Sequence, residues 1–204
     1  MQSLTRIGQL NNTAQKSTAS VLMSTLKVTI EMLQARGYTN IQACQSVDEI
    51  AENMTEGRYI LCGNGRKSIQ VFFHNEDRVG VKQLRSWVEA SSADNIVVVS
   101  LEGPTAFTRR EAEHNYRQVQ FFLFRDLCVN ITKHCLVPRH ERVKADQLPF
   151  ELSRTMEEVP SMYTTDKVAQ FYAFQPGEII RITRTAGVQE PVFYYRIMRH
   201  PPAS

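Results

Sequence analysis

The chain has little cysteine, a single tryptophan and no long apolar run. Its four cysteines, Cys44, Cys62, Cys128 and Cys135, show no C-x-x-C spacing. That argues against a zinc ribbon, a thioredoxin-type redox pair and a disulfide-stapled secreted domain. No apolar stretch reaches the roughly 18 residues that a membrane-spanning helix requires. The first twenty residues contain Arg6 and Lys16, no acid, and no apolar core of the kind a secretory signal carries. Reduced thiols in the cytosol or nucleus are therefore expected, and the sequons at Asn11, Asn53 and Asn130 are read as chance. The excess of one charge sign is also small. A net charge of +3 in 204 residues permits a nucleic-acid partner without demanding one.

What is present suffices for one large domain or two small ones. Residues 1–17 are polar and read as a flexible tail. From Ser17 the apolar positions Val21, Leu22, Leu26, Ile30 and Leu33 follow helical spacing, and Gly37 closes the run. "SVDEIAENM" (46–54) reads as a shorter helix, with Ser46 and Glu49 at capping-box spacing. Tyr59–Cys62 and Ile69–Phe73 read as strands joined by "GNGRK". Val81, Leu84, Trp87 and Val88 share a helical face. "NIVVVSL" (95–101) has the texture of a strand buried on both sides. "TRREAEHNYRQVQFF" reads as a charged helix, and "LCVNI" (127–131) as a strand. This alternation of helices and strands predicts a small α/β domain over 18–130.

Beyond "HCLVPRHERV" (134–143) the texture changes. "LPFELSRTMEEVPSMYTT" is broken by Pro149 and Pro160, and "DKVAQFYAF" reads as a short helix. "PGEIIRITRT" and "VFYYRIMRH" alternate as strands. Ile180 and Ile182 share one side, as do Phe193, Tyr195 and Ile197, and Pro176-Gly177 supplies a turn. This predicts an α+β unit over 131–204.

The sequence holds little that is suited to catalysis. Cys128, His134, Cys135 and His140 match no common zinc spacing, and adjacent residues on a strand point opposite ways. No metal, cofactor or catalytic residue is expected. A Cys–His nucleophilic pair would need a third, orienting group, and none is marked. "GNGRKS" (63–68) has one residue between its glycines and Arg66 after the second. A phosphate loop needs four residues there and a lysine directly after, so a hairpin turn is the better reading. Glu157-Glu158 and Asp48-Glu49 read as solvated faces. Arg109 and Arg110 open a helix just after a proline-fixed loop, where guanidiniums can approach a phosphate backbone or simply face water. Arg181, Arg184, Arg196 and Arg199 lie on or beside strands, suited either to interface ion pairs or to solvent.

The order of segments carries more information. "ARGY" (35–38), "RVGVKQLRSWVE" (78–89), "LEGPTAF" (101–107), "LCVNITKHCLVPRHERV" (127–143), "QLP" (147–149), "DKVAQFYAFQPGE" (166–178), "PGEIIRITR" (176–184) and "YYRI" (194–197) follow one another as they do in a known family. The chain resembles the fifth subunit shared by the eukaryotic nuclear RNA polymerases, whose C-terminal part is similar to a small subunit of the archaeal polymerase. The most specific piece is the Leu-Val-Pro-basic-His run at the domain junction. Departures are visible. The family's Asp-Pro is Asp166-Lys167 here, "TAGVQEP" (185–191) replaces its Ser-x-Thr-x-Gly turn, the link from "RHERV" to "QLP" is short, and 150–165 looks inserted. A divergent member is expected, one able to serve a single polymerase class.

The resemblance implies a non-catalytic scaffold in the nucleus. Residues 18–130 would be a jaw module, helices around a small mixed sheet of endonuclease-like fold, near non-specifically held downstream duplex DNA. Residues 131–204 would be an assembly module, docked on the largest subunit and neighbouring small subunits, with no membrane partner. The family's proline loop near DNA carries over to Pro104, Thr105 and Ala106; Arg109 and Arg110 join them on charge. His134, Leu136, Pro138, Arg139, His140, Arg142, Arg184, Tyr195 and Arg196 would form the protein interface. Two other classes compete. A transient co-regulator would dissociate in salt. A nuclease would need an Asp and a Glu-x-Lys pair on adjacent strands, and "RYILC", "IQVFF" and "NIVVV" have neither acid nor lysine at their centres.

Overall fold

Three consecutive β-branched residues, Val97–Val99, stand at the centre of the first folded unit, and none of them is exposed. A computed structural model of the chain describes residues 12–43, 60–63, 67–74, 78–144, 147–149, 158–185 and 190–202. The chain divides into two units, Met1–Val129 and Asn130–Ser204. Among the described residues no helix is long and apolar enough to cross a membrane.

The first unit runs α1 (Asn12–Ala35), β1 (Asn40–Ala43), β2 (Ile60–Gly63), β3 (Ser68–His74), α2 (Val81–Ala90), β4 (Asn95–Ser100), α3 (Ala106–Asn115) and β5 (Val119–Leu123). The strands form one mixed sheet whose spatial order equals the chain order. β1, β2 and β3 are antiparallel neighbours, and β3, β4 and β5 run parallel. Parallel neighbours need crossovers, and α2 and α3 supply them. β4 is an interior strand between β3 and β5, and Ile96 through Ser100 are all buried, as in a parallel strand covered on both faces. On α2, Leu84 and Trp87 face inward, and the Trp87 ring stacks on Phe72 of β3 at 5.4 Å. Phe73 meets Phe124 at 6.0 Å. Met32 and Leu33 of α1 are fully buried, and a side chain of this kind contributes roughly 1.5–3 kcal/mol.

Three features differ from the sequence reading. α1 starts at Asn12, so 12–17 are helical; Ala14, Gln15 and Lys16 are good helix formers with no Gly or Pro among them. Residues 1–11 lie outside the described residues, as do the helix expected at 46–54 and the turn residues 64–66. "VQFFL" is strand β5 rather than the end of a helix, because α3 stops at Asn115 and Val119 pairs with Ile96. "LCVNI" is not a strand. Leu127 is buried and Val129 is 70% exposed, and Asn130 instead accepts from the Thr132 amide at 3.0 Å, starting a 3-10 turn over Ile131–Lys133.

The second unit contains β6 (Arg139–Val143), β7 (Ser161–Tyr163), α4 (Lys167–Tyr172), β8 (Ile179–Arg184) and β9 (Val192–Arg199). Its sheet has the order β6-β8-β9-β7. β6, β8 and β9 are antiparallel neighbours, while β7 runs parallel to β9. β7 arises inside a stretch the sequence reading left irregular. Asp166 caps α4, accepting from the amides of Val168 at 2.8 Å and Ala169 at 3.2 Å. The helix ends at Ala173 in the left-handed region, φ 52°. Ala169, Phe174, Ile180 and Met198 form the core, with Met162, Tyr172 and Ile182 against it. Ile180 stands opposite Arg196 and Ile182 opposite Tyr194. Directly opposed residues share a face, so Phe193, Tyr195 and Ile197 lie on the other side, with Ile179.

Candidate functional site

The segment from Leu101 to Arg110 combines a strand end, a loop and a helix start, and its backbone is tied down on one side. The Leu101 amide donates to the His74 carbonyl at 3.2 Å, and the Thr105 amide to the Val79 carbonyl at 3.2 Å. Thr105 is the N-cap of α3: its hydroxyl accepts from the Thr108 amide at 3.1 Å. The buried Thr108 hydroxyl donates to the Val79 carbonyl at 2.9 Å. Gly103 and Pro104 are therefore held between fixed points. Pro104 and Thr105 are half-buried, and Ala106, Arg109 and Arg110 are exposed. The structure brings these five sequence-selected residues onto one loop and the first turns of one helix.

Sequence reasoning missed the rest of this region. Phe107 is 66% exposed and Leu101 47% exposed. An open cleft of about 430 Å³ lies beside the loop, lined by Arg78, Leu101, Glu102, Pro104, Leu123 and Arg125, with Gly103 between. It sits at the carboxyl ends of β3, β4 and β5, where ligands of open parallel sheets generally bind. Arg78 approaches Glu102 at 3.5 Å, with both side chains more than 60% exposed. Arg125 lies in the 3-10 turn directly after β5. The signal that points to Arg125 is a basic residue just past a parallel strand, and it was hidden when β5 was read as helix.

Elsewhere in this unit two carboxylate ties hold the frame. Asp94 accepts from the Ser68 amide at 2.7 Å and its hydroxyl at 2.9 Å, joining the starts of β3 and β4. These bonds, the amide first, hold the Asp94 carboxyl below its ordinary range. Arg85 of α2 donates to Glu111 of α3 at 2.6 Å. That hydrogen bond lowers the Glu111 carboxyl and raises the Arg85 guanidinium. Both are scaffold contacts away from the cleft lining.

In the second unit the nine sequence-selected residues spread over β6, β8, β9 and the turn before β6. The exposed His134 ring accepts from the Leu136 amide at 3.2 Å through Nδ1, and Leu136 is 83% exposed. Pro138 is half-buried, and its carbonyl lies 2.7 Å from Nδ1 of His140. Arg139 pairs with Glu141 at 2.6 Å, and Arg181 reaches the same carboxylate at 3.1 Å. Arg184 lies over the Tyr194 ring at 5.5 Å, and Tyr195 and Arg196 are half-buried on opposite sides of the sheet. Arg142 is engaged within its own unit. Its Nε donates to both Glu178 oxygens at 3.1 Å, and its Nη2 to the carbonyls of Tyr172 at 2.7 Å and Ala173 at 3.0 Å. Among the described residues no three His, Cys, Asp or Glu side chains converge as metal ligands would.

Comparison with known proteins bears on this second unit first. Residues 129–198 match the family described as RNA polymerase Rpb5, C-terminal domain. Across the whole chain, a Dictyostelium discoideum protein named DNA-directed RNA polymerases I, II, and III subunit rpabc1 is 27% identical over 189 residues, covering 86% of this chain and 96% of that one. An Arabidopsis thaliana protein named DNA-directed RNA polymerase subunit 5-like protein 1 is 23% identical over 194 residues, covering 83% and 91%. DNA-directed RNA polymerase V subunit 5A of the same plant is 23% identical over 137 residues, covering 64% and 62%. Residues 129–198 match the Rpb5 C-terminal domain, and the chain as a whole is similar to fifth RNA polymerase subunits at modest identity, as a divergent relative would be.

Proposed function

We propose that this chain is a non-catalytic structural subunit of a nuclear DNA-directed RNA polymerase. In this reading its first unit is the jaw, an endonuclease-like fold without nuclease residues, placed near downstream duplex DNA. Its second unit docks on the largest subunit and on neighbouring small subunits. The observation that carries the reading is the Rpb5 C-terminal match over 129–198, which coincides with the second folded unit. The proline loop Gly103–Ala106, tied to the backbone at Val79, supports the DNA-facing role of the first unit, since a fixed loop positions a duplex without reading its sequence. The modest identity, 27% to a subunit shared by polymerases I, II and III and 23% to a subunit of polymerase V, leaves room for a variant dedicated to one polymerase class.

The test is recovery of a tagged chain from nuclear extract at moderate and high salt, with partners identified by mass. Retention of the largest polymerase subunit at both salts is the expected outcome, and the identity of that subunit names the class. Loss at high salt alone would favour a transient co-regulator, because rim contacts are screened. Absence at both salts would overturn the proposal.

A further inference from the structure

We infer that the cleft at the carboxyl ends of β3, β4 and β5 is a phosphate-binding site, with Arg78 and Arg125 as its cations and a phosphate of a nucleic-acid backbone as its ligand. The inference rests on the reading of the first unit as the DNA-facing one and names the side chains that take the charge. Three observations carry it. The first is position. The cleft opens where three parallel strands end, and its wall is the Gly103–Pro104 loop, which backbone hydrogen bonds to His74 and Val79 hold in place. A site fixed before binding loses little freedom when the ligand arrives.

The second observation is charge. Two guanidiniums and one carboxylate line the cleft. Arg125 has no ion pair among the described residues, and the Arg78–Glu102 pair is long and solvated. An exposed pair of that kind is worth little and exchanges readily for a better partner. A phosphate offers that partner, because a guanidinium fork meets two of its oxygens at once. A divalent cation would require several oxygen ligands, and Glu102 is the single acid in the lining. The third observation is the surround. Leu101 and Phe107, both exposed beside the loop, give apolar surface of the kind that lies against sugar faces. Arg109 and Arg110 are not among the lining residues. Their place on α3 makes them outer contacts at most.

The experiment uses intact polymerase purified through tagged forms of this chain and measures affinity for a downstream duplex across a salt series. Each phosphate contact contributes about 0.9 to the slope of log affinity against log salt. The variants are R78A/R125A, R125K and R109A/R110A, each checked for retention in the polymerase. R78A/R125A is expected to flatten the slope by about 1–2 and to weaken binding several-fold at low salt, and R125K to keep the slope. If R109A/R110A flattens the slope and R78A/R125A does not, the cleft assignment is overturned and the DNA-facing reading stands. If neither changes it, both fall. Weakened binding at an unchanged slope, or loss of R78A/R125A from the polymerase, would also overturn the assignment, because the contact would then not be ionic or not be with nucleic acid. Both arginines are exposed, so folding is not at risk, and a matched thermal melt verifies this.

Discussion

Arg142 shows how much a single side chain can hold. Its guanidinium reaches from β6 across to the end of α4, accepts the role of C-cap for two carbonyls, and grips Glu178 with a second edge. It also lies 4.9 Å from the centre of the Phe174 ring. A helix C-terminus is a partially negative site, so the cation is placed where it stabilises the helix. Because the side chain is 43% exposed, solvent screening limits the gain. R142A is expected to cost about 1–2 kcal/mol, and R142K most of that, since an ammonium lacks the fork. Hydrogen exchange should check it, with faster exchange concentrated in Lys167–Phe174 and β8; unchanged protection there would refute the clamp. In the sequence Arg142 reads only as one more arginine on a strand, suited to an interface. Nothing local reveals that residue 173 turns its carbonyl toward it, because that contact joins positions about thirty residues apart.

At the scale of elements, the legible parts were those with a strong period. β4 has an unbroken apolar centre at Ile96–Val99, α2 has a clear inward face at Leu84 and Trp87, and α4 has an Asp cap; each could be read from spacing. β5 could not, because "RQVQFF" follows a charged helix with no Gly or Pro to mark the stop. The break is made by pairing, with Val119 opposite Ile96, and pairing is not written locally. The same joints make the first unit acid-sensitive. Asp94 ties β3 to β4 and Glu111 ties α2 to α3, and both carboxyls are lowered in the folded state. A lowered folded value means that the stabilisation is present above the unfolded value, near 4, and is lost as pH falls through the folded one. The denaturation midpoint of the first unit, followed by Trp87 fluorescence, is expected to be flat from neutral pH to about 5 and to fall below about 4. D94N removes part of that fall. An equally steep fall in D94N would show that Asp94 does not contribute.

For the whole molecule, the two units invite different tests, because one presents a fixed loop and cleft and the other a sheet with a half-covered side. In the second unit Ile197 stands opposite Ile179, which is 6% exposed, and Tyr195 opposite Arg181. Placing a carboxylate at the half-buried position 197 sets a charge against the apolar side chain of Ile179 and removes its packing, a loss of about 1–3 kcal/mol. I197D is therefore expected to open the sheet and abolish recovery of the largest polymerase subunit. P104G and R109A/R110A alter only half-buried or exposed positions on the first unit. They are expected to leave assembly intact while weakening the hold on downstream duplex. The decisive reading is subunit recovery for both sets in the same purification. If the loop variants fall out of the polymerase while I197D remains, the roles assigned to the two units are reversed. If both remain, the docking surface lies outside β9, and the exposed turn around Leu136 becomes the place to substitute next.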